Sequence, residues 1–217
     1  MSDTAGKAVS PAETLSKEQL DYISRNAIAR SFPKNTVIVS EGDQTHTLFI
    51  IVSGRVRVYV SDDKGRELTL GEQGPGEYFG EMVLDQGPRS ASVITLIPSR
   101  FLVVQKADVL DFIEKNPKFA IHLIRKLIRR TRALTQNVKN LALLDVYGRV
   151  AGMLLELARE QGDELVVPGK PTQQNIANRV GASREMVNKI MKDLTSGGYI
   201  RVEPDRIVIA RALPLHW

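Results

Sequence analysis

The chain has no cysteine among its 217 residues and only three histidines. The absence of cysteine excludes disulfide bonds, zinc fingers and cysteine-ligated iron–sulfur clusters, and it is typical of proteins in a reducing compartment. His46, His122 and His216 are scattered without metal-ligand spacing, so we predict no metal site. The sequence also lacks an apolar run of about 18 residues, the length that a transmembrane helix needs. We therefore expect a cytoplasmic protein without a membrane partner.

Positive charge is concentrated in the second half of the chain. Residues 1–117 carry 13 Lys and Arg against 16 Asp and Glu, a net charge of −3. Residues 118–161 carry 9 against 3, and residues 162–217 carry 8 against 6, which gives net charges of +6 and +2. This distribution favours a polyanionic partner for the C-terminal half.

Short β-rich runs separated by glycine occupy the chain from about residue 35 to residue 104. Residues 55–60, Arg-Val-Arg-Val-Tyr-Val, alternate polar and apolar as a half-buried strand does. The other runs are residues 36–39, 48–52, 67–70, 92–96 and 101–104. Because no helix separates these runs, they predict an antiparallel sandwich or small barrel. Helices are predicted beside it at residues 17–25 and 107–115.

Residues 76–93 combine a glycine turn, a carboxylate and an Arg-Ser pair. Gly80 would allow backbone N–H groups to approach an anion closely. Arg89 offers a planar, permanently charged group that suits phosphate oxygens, and Ser90 adds a hydroxyl. Glu81 can only accept hydrogen bonds when it is ionised, so it suits a sugar hydroxyl. The stretch predicts a site for a ligand that carries both a phosphate and a ribose hydroxyl.

A long helix is predicted from Pro117, with an apolar seam at alternating spacings of three and four. One set of seam positions is β-branched and the other is leucine; together they are Ile124, Leu127, Thr131, Leu134, Val138 and Leu141. In parallel coiled coils this combination favours a two-stranded dimer. The alternative is a single amphipathic helix packed on its own domain. We favour the dimer because arginines leave only a narrow apolar stripe. The seam ends near residues 140–145, a candidate hinge, and a second apolar helix follows from residue 146 to about 160.

A compact helical pair follows a turn-rich linker at residues 162–171. Thr172 can cap a first helix that ends before Gly181, and Ser183 can cap a second one that ends near residues 197–198. Helix, glycine turn and helix with a polar outer face make a helix-turn-helix, and residues 201–209 read as a β-hairpin wing. The predicted DNA-binding residues are Thr172, Ser183, Arg184, Glu185, Asn188 and Lys189.

The predicted roles on DNA follow from side-chain chemistry. Arg184 suits guanine O6 and N7, and Glu185 accepts from cytosine N4, both in the major groove. Lys189 adds a base or phosphate contact one turn on. Thr172 and Ser183 lie at helix N-termini, where hydroxyl and N–H groups commonly hold phosphates. The alternative is that Arg184 and Glu185 only bond to each other on a solvated face.

Three motifs, in order, resemble the bacterial cyclic-AMP receptor (CRP/FNR) family of transcription regulators over about residues 20–210. A phosphate-binding cassette is present as Phe79-Gly80-Glu81 and Pro88-Arg89-Ser90-Ala91. The end of the dimer helix and the hinge are present as residues 140–149, Asn-Leu-Ala-Leu-Leu-Asp-Val-Tyr-Gly-Arg. The reading helix is present as residues 180–187, Val-Gly-Ala-Ser-Arg-Glu-Met-Val.

The resemblance implies an α+β fold with an N-terminal antiparallel β-roll that binds a cyclic nucleotide, a long dimerisation helix and a C-terminal winged helix-turn-helix. The expected domains are a flexible segment at 1–16, the β-roll at 17–117, the dimerisation helix and hinge at 118–144, and the DNA-binding domain at 145–217. The polar start of the chain also lacks the apolar segment of a secretory signal.

The resemblance also assigns ligand contacts. Glu81 would bind the ribose 2′-hydroxyl, Arg89 and Ser90 the cyclic phosphate, and Thr135 the adenine. Gly80 would let the backbone approach, and Met82 and Ala91 complete the expected ligand-binding set. Two features depart from cyclic-AMP-binding members: Leu134 replaces a threonine that is frequent there, and the loop from residue 81 to 89 is one or two residues shorter. A regulator of cyclic di-GMP is therefore the main alternative to one of cyclic AMP.

These observations predict a homodimeric, sequence-specific DNA-binding regulator with cyclic AMP as its allosteric effector. Its partners would be a palindromic operator in double-stranded DNA, a second copy of the chain and RNA polymerase. A nucleotide-independent DNA-binding factor is the second alternative. We predict no enzymatic activity, because the sequence offers no nucleophile–base pair, metal cluster or Walker-type loop.

Overall fold

A computed structural model describes residues 15–44, 46–85 and 87–214 of the chain. They form two compact units: residues 15–64 with 69–132, and residues 65–68 with 133–214. Most of the predicted flexible segment 1–16 lies outside the described residues. Its last two residues belong to the first unit, since Leu15 is buried and Ser16 caps helix α1 (Lys17–Ile23).

Two four-stranded sheets, ordered β1-β8-β3-β6 and β2-β7-β4-β5, make up most of the first unit. The strands are β1 (Ile28–Phe32), β2 (Val37–Val39), β3 (Thr47–Ser53), β4 (Val56–Ser61), β5 (Glu67–Gln73), β6 (Tyr78–Phe79), β7 (Ser92–Thr95) and β8 (Ser99–Gln105). The pairings of β8 with β1 and β3, and of β7 with β2 and β4, are antiparallel. The predicted antiparallel β structure is therefore present.

Strand β3 is apolar at successive positions, without the alternation of a half-buried strand, because both of its faces are buried. Successive side chains of a strand point to opposite faces of the sheet. Leu48 and Ile50 join one buried cluster with the helices α1 and α2 (Lys106–Lys115), whereas Phe49 and Ile51 join a second cluster with Val58 and other strand residues. β3 is therefore buried on both faces, and it fixes the position of β6, with which it pairs.

Helix α3 (Pro117–Leu143) is the longest helix of the described chain. Its first turns pack into the first unit through Phe119, Leu123 and Lys126, which are buried. The predicted seam lies elsewhere on the helix, and its apolar members are exposed: Ile124, Leu127, Leu134, Val138 and Leu141. The single chain therefore uses one face of α3 for its own core and leaves the seam uncovered.

The second unit contains three helices and one four-stranded sheet. The helices are α4 (Val146–Leu157), α5 (Gln173–Val180) and α6 (Arg184–Ser196). The sheet has the order β11-β12-β10-β9, and its strands are β9 (Arg159–Gln161), β10 (Glu164–Pro168), β11 (Ile200–Val202) and β12 (Arg206–Ile209). The predicted hairpin at residues 201–209 is present as β11 and β12.

Two sequence predictions in this unit were wrong. The predicted linker at residues 162–171 contains strand β10, because Leu165, Val166 and Val167 pair with residues 207–209 of β12. The helix predicted to reach about residue 160 ends at Leu157, and the chain continues as β9. The first error arises because β10 acquires the partner strand β12 from about 40 residues further along the chain, beyond the reach of local periodicity. Strand β9 in turn pairs with β10 in a short hairpin.

Candidate functional site

The turn after β6 places a glycine beside a carboxylate. Gly80 is left-handed, with φ 86° and ψ 19°, and Glu81 begins a short 3-10 helix, Glu81–Leu84. A Cβ atom at position 80 would lie 2.8 Å from Nη1 of Arg89 and 3.0 Å from the carbonyl oxygen of Thr47. Glycine therefore meets both the backbone requirement and the space requirement of this turn.

Arg89 is buried although its side chain is charged. Its Nη1 donates to the carbonyl oxygen of Gly80 at 2.9 Å, and its Nη2 donates to that of Thr47 at 2.6 Å. Its Nε has no hydrogen-bond partner among the described residues. Burial lowers the pKa of Arg89, and the carboxylate of Asp43 opposes this shift. The guanidinium is thus held by backbone carbonyls and retains a buried donor for an anion.

Glu81 is only 6% exposed and forms an ion pair with Arg130 of α3 through Oε1. Its second oxygen, Oε2, is buried and has no partner in the described part of the chain. Burial lowers the pKa of Arg130, whereas Glu77 and Tyr78 raise it. Arg130 was missed as a site residue by the sequence analysis, where it is only one of the arginines beside the seam. Nothing in the local pattern indicates that it meets a carboxylate 49 positions away.

These side chains surround a cavity of about 40 Å³. It is lined by Val39, Val58, Phe79, Gly80, Glu81, Met82, Arg89, Ser90, Ala91, Val93 and Arg130. The structure therefore brings together six of the seven predicted ligand-binding residues. Ligand pockets usually measure about 300–1,000 Å³, so a nucleotide would require this cavity to open. The side chains at its rim, Met82 and Ser90, are exposed and Arg130 is half-buried.

A second contact between α3 and the cassette lies one helical turn before Arg130. Lys126 is buried, its Nζ donates to the carbonyl oxygen of Tyr78, and the same atom lies 3.6 Å from the centroid of the Tyr78 ring. Burial raises the pKa of Tyr78 above its ordinary value, while Arg129 and Arg130 oppose the shift. Two cations of α3 therefore contact the segment that leads into Glu81, one through a carbonyl and one through the carboxylate itself.

The seventh predicted ligand residue, Thr135, is not among the residues that line the cavity. It is exposed on α3 in the second unit. Its assignment as an adenine contact stays a prediction from the resemblance.

The helix-turn-helix is formed by α5, Gly181 and α6. Thr172 accepts from the backbone nitrogen of Asn175 at 3.1 Å, and Ser183 accepts from that of Met186 at 3.2 Å. Gly181 has a left-handed φ of 65° and ends α5. Because each capping hydroxyl acts as an acceptor within its own helix, its O–H can still donate to a phosphate.

The outer face of α6 is open. Arg184, Glu185 and Lys189 are exposed, and neither Arg184 nor Glu185 forms an ion pair with another described residue. This contradicts the alternative that the two side chains only bond to each other. Asn188 is partly engaged, since its Oδ1 accepts from Nε2 of Gln173 at 2.9 Å. Gln173 was missed by the sequence analysis, and it now joins the polar surface formed by the two helices.

The junction between α3 and α4 is held by polar contacts. Asp145 caps α4 by accepting from the nitrogen of Gly148 at 2.7 Å. Arg149 donates from Nη1 to the carbonyl oxygen of Leu144 at 2.9 Å and from Nε to that of Val180 at 2.8 Å. One side chain therefore ties the predicted hinge to the end of α5.

The described residues contain neither a metal-binding cluster nor a membrane-spanning helix. No cluster of three or more histidine, aspartate and glutamate side chains there has the arrangement of a metal site. None of the described helices is long and apolar enough to span a bilayer.

A nucleotide cassette in a β domain, followed by a winged helix-turn-helix, defines a ligand-responsive transcription regulator. Two family matches agree with this class. Residues 29–116 match the cyclic nucleotide-binding domain family, and residues 148–213 match the Crp-like helix-turn-helix domain family.

Relatives of known function extend the match over most of the chain. The CRP-like cAMP-activated global transcriptional regulator of Mycobacterium tuberculosis is 37% identical over 184 residues, which cover 82% of each chain. The cAMP-activated global transcriptional regulator Vfr of Pseudomonas aeruginosa is 32% identical over 201 residues, which cover 88% of this chain and 94% of that one. The chain belongs to the CRP/FNR family of transcription regulators. Its predicted function as a DNA-binding, cyclic-nucleotide-responsive regulator and not an enzyme is thereby confirmed.

Solved structures support the fold. The c-di-GMP responsive global regulator CLP of Xanthomonas campestris has a TM-score of 0.81 at 24% identity and covers 90% of this chain and 100% of its own. The catabolite activator protein of Thermus thermophilus is 32% identical, with a TM-score of 0.55 and coverage of 95% and 96%. The predicted α+β fold class, with β-roll, long helix and winged helix-turn-helix, is confirmed.

Proposed function

We propose that this regulator is a homodimer and that cyclic AMP, bound in the cassette, controls its binding to a palindromic DNA operator. The observation that carries the nucleotide part is the pair of buried polar atoms without partners in the described chain. Arg89 retains a donor at Nε and Glu81 retains an acceptor at Oε2. A buried unpaired donor or acceptor costs about 1–3 kcal/mol, so a ligand that satisfies both would gain from each.

A cyclic mononucleotide matches this pair in chemistry. Its phosphate oxygens accept hydrogen bonds and its ribose 2′-hydroxyl donates one. The lining valines and Phe79 supply apolar contact for the sugar and base. Cyclic di-GMP carries two phosphates and two guanines, whereas the cavity offers one buried guanidinium in Arg89 and a second in Arg130 that is already paired with Glu81. The relatives from M. tuberculosis and P. aeruginosa are named as cAMP-activated, which also favours cyclic AMP.

The nucleotide assignment is tested by calorimetric titration of the purified protein with cyclic AMP, cyclic GMP and cyclic di-GMP. We expect the tightest binding for cyclic AMP, and no measurable binding after Arg89→Leu. Arg100→Leu is the matched control, because Arg100 is an exposed arginine of β8 in the same domain and should leave affinity unchanged. If only cyclic di-GMP binds tightly, the effector is cyclic di-GMP and not cyclic AMP. If none of the three nucleotides binds measurably and the protein still binds DNA, a nucleotide-independent DNA-binding factor is favoured.

Dimer formation through α3 is supported by the exposed seam. Leu134 is 47% exposed and Val138 is 64% exposed in the single chain, although both are large and apolar. A second copy of α3 would bury them in a parallel two-stranded coiled coil. The two recognition helices could then address half-sites one DNA turn apart, and such a promoter-bound dimer would have RNA polymerase as a further partner.

Sedimentation analysis of Val138→Glu tests the dimer. We expect a monomer, because a charge at the seam would have to be buried without a partner. Lys139→Glu changes the neighbouring exposed residue, outside the seam, and should remain a dimer. A dimeric Val138→Glu variant would place the interface elsewhere.

A further inference from the structure

The wing hairpin carries two cations, and carboxylates hold both. Between residues 200 and 209 the only basic side chains are Arg201 and Arg206. Nη2 of Arg201 lies 2.7 Å from Oε1 of Glu164, and Nε of Arg206 lies 2.5 Å from Oε2 of Glu203. The cross pairs are longer, 3.5 Å from Arg201 to Glu203 and 3.9 Å from Arg206 to Glu164. Each arginine therefore meets both glutamates in a ring of alternating charge, which we call the wing ring.

The wing ring is built on the sheet surface that faces away from the core. Arg201 is paired with Val208, and Val208 with Val166. Glu164 and Arg206 lie two positions from these valines along their own strands, so all share one face of the sheet. Val166 and Val208 are 3% and 2% exposed, although neither belongs to the main cluster of the unit. The ring side chains themselves are 27–58% exposed, so their charged ends face solvent on this surface of the sheet.

The pKa shifts of Glu203 and Arg201 both favour the ionised forms of these side chains. The hydrogen bond from Arg206 lowers the pKa of Glu203, and the hydrogen bond to Glu164 raises the pKa of Arg201. The hairpin tip adds Asp205 and no further cation. Over residues 200–209 the two arginines are balanced by Glu203 and Asp205, and Glu164 of the neighbouring strand adds a further negative charge. By contrast, Arg184 and Lys189 on α6 are exposed and form no ion pair with another described residue.

Sequence-independent affinity for DNA depends on how many phosphates a protein neutralises. A cation paired with a neighbouring carboxylate presents less net positive charge to a phosphate, and the carboxylate itself repels the phosphate. Specificity is the difference between cognate and non-cognate affinities, so any device that weakens the non-cognate complex raises it. We propose that Glu164 and Glu203 hold the wing arginines away from the DNA backbone, which weakens sequence-independent binding and leaves discrimination to α6. The proposal requires the helix-turn-helix domain to bind DNA, but it does not depend on which nucleotide the cassette takes.

The test compares salt dependence on a random-sequence duplex. Fluorescence anisotropy with the full-length protein between 50 and 200 mM salt gives the slope of log K against log salt concentration. For the double variant Glu164→Gln with Glu203→Gln, we expect a slope steeper by about 0.9 for each arginine released. A fourfold change in salt then alters affinity by a further factor of about 3 to 4 for each arginine. Glu160→Gln with Asp163→Asn is the matched control, because it removes two charges from the neighbouring hairpin without touching an arginine.

A second experiment replaces the two arginines, and in the parent protein it tests the proposal even if the double glutamine variant does not fold. Arg201→Ala with Arg206→Ala in the parent should leave the slope unchanged, whereas in the glutamine background it should cancel the gain. If the two alanine substitutions in the parent protein make the salt slope shallower by about 0.9 for each arginine, both arginines already contact phosphates in the parent protein. The proposal would then be wrong. A glutamine variant whose slope equals that of the matched control would also overturn it.

Discussion

The cassette and the outer face of α6 both carry an arginine and a glutamate, but among the described residues these side chains are buried and paired in the cassette and exposed and unpaired on α6. Arg89 and Glu81 are 5% and 6% exposed, and each is engaged within the first unit by a carbonyl or an arginine. Arg184 and Glu185 are exposed and form no ion pair with another described residue. If the nucleotide and the DNA bind as proposed, the nucleotide must displace existing contacts of the cassette as it binds, whereas DNA would meet side chains that are already available. This difference is expected of a regulator whose ligand site controls its DNA-binding site, since a ligand shifts an equilibrium only by binding one state better than the other.

Apart from the loss of Arg89 itself, the largest effect is expected from Gly80→Ala, which should disrupt the cassette and leave the reading face of α6 intact. The added Cβ would displace Nη1 of Arg89 and would force a non-glycine residue into a left-handed conformation. Loss of the Arg89 contacts should lower nucleotide affinity on the order of 100-fold or more, since hydrogen bonds to charged groups contribute about 1.5–3 kcal/mol each. Calorimetric titration measures the affinity, and thermal melting checks the fold.

Gly181→Ala provides the matched control for that change. Gly181 also has a left-handed φ, but its added Cβ would meet the side chains of Leu141 and Leu68 only at 3.5 Å, an ordinary contact distance. The backbone strain alone should cost about 1–2 kcal/mol of the stability of the second unit. Nucleotide affinity should be unchanged. Equal loss of affinity in the two variants would mean that the crowding at position 80 has no special role.

Arg184→Ala should break the reading face alone. We expect a loss of about 1–3 kcal/mol in affinity for a duplex that the parent selects from a random pool, together with relaxed preference at one base position. Lys192→Ala, an exposed change further along α6, should weaken all sequences alike and relax none. Anisotropy measurements on single-base variants of the duplex separate the two results. If Arg184→Ala leaves the base preferences intact, Arg184 does not read a base.

Local pattern predicted the parts of the fold that repeat or alternate. The six β runs, the long helix and both helices of the helix-turn-helix follow from spacing and caps, and all are present. Strand β1 (Ile28–Phe32) was missed because four of its five residues are exposed, so its sequence lacks the alternation of a half-buried strand. Strand β10 was read as a linker because its partner β12 lies about 40 residues further along the chain.

In the candidate site, too, the residues of a local motif could be predicted, whereas a residue that depends on long-range packing could not. Gly80, Glu81, Arg89 and Ser90 could be found because a single short motif holds them, and the structure places them around one cavity. Arg130 could not be found, because its role depends on which face of α3 meets the 3-10 helix. Sequence spacing alone does not distinguish the face that packs from the face that stays exposed when both carry apolar and basic residues.

The smallest expected effect concerns pH and again separates the two units. His122 lies on α3 in the first unit, and burial lowers its pKa from the ordinary 6.5, helped by the charges of Lys126, Arg129 and Arg125. Below about pH 6.5 the unfolded chain binds a proton that the folded first unit resists, so stability should fall as the pH drops through this value. Residues 133–214 contain no histidine, so the second unit lacks this response. Denaturant unfolding between pH 8 and about 5.5 should show the decline in the parent and a flatter profile in His122→Gln. The control variant His46→Gln, at an exposed histidine, should show the same dependence of stability on pH as the parent protein. If His122→Gln also shows the parent's dependence, another group causes the decline.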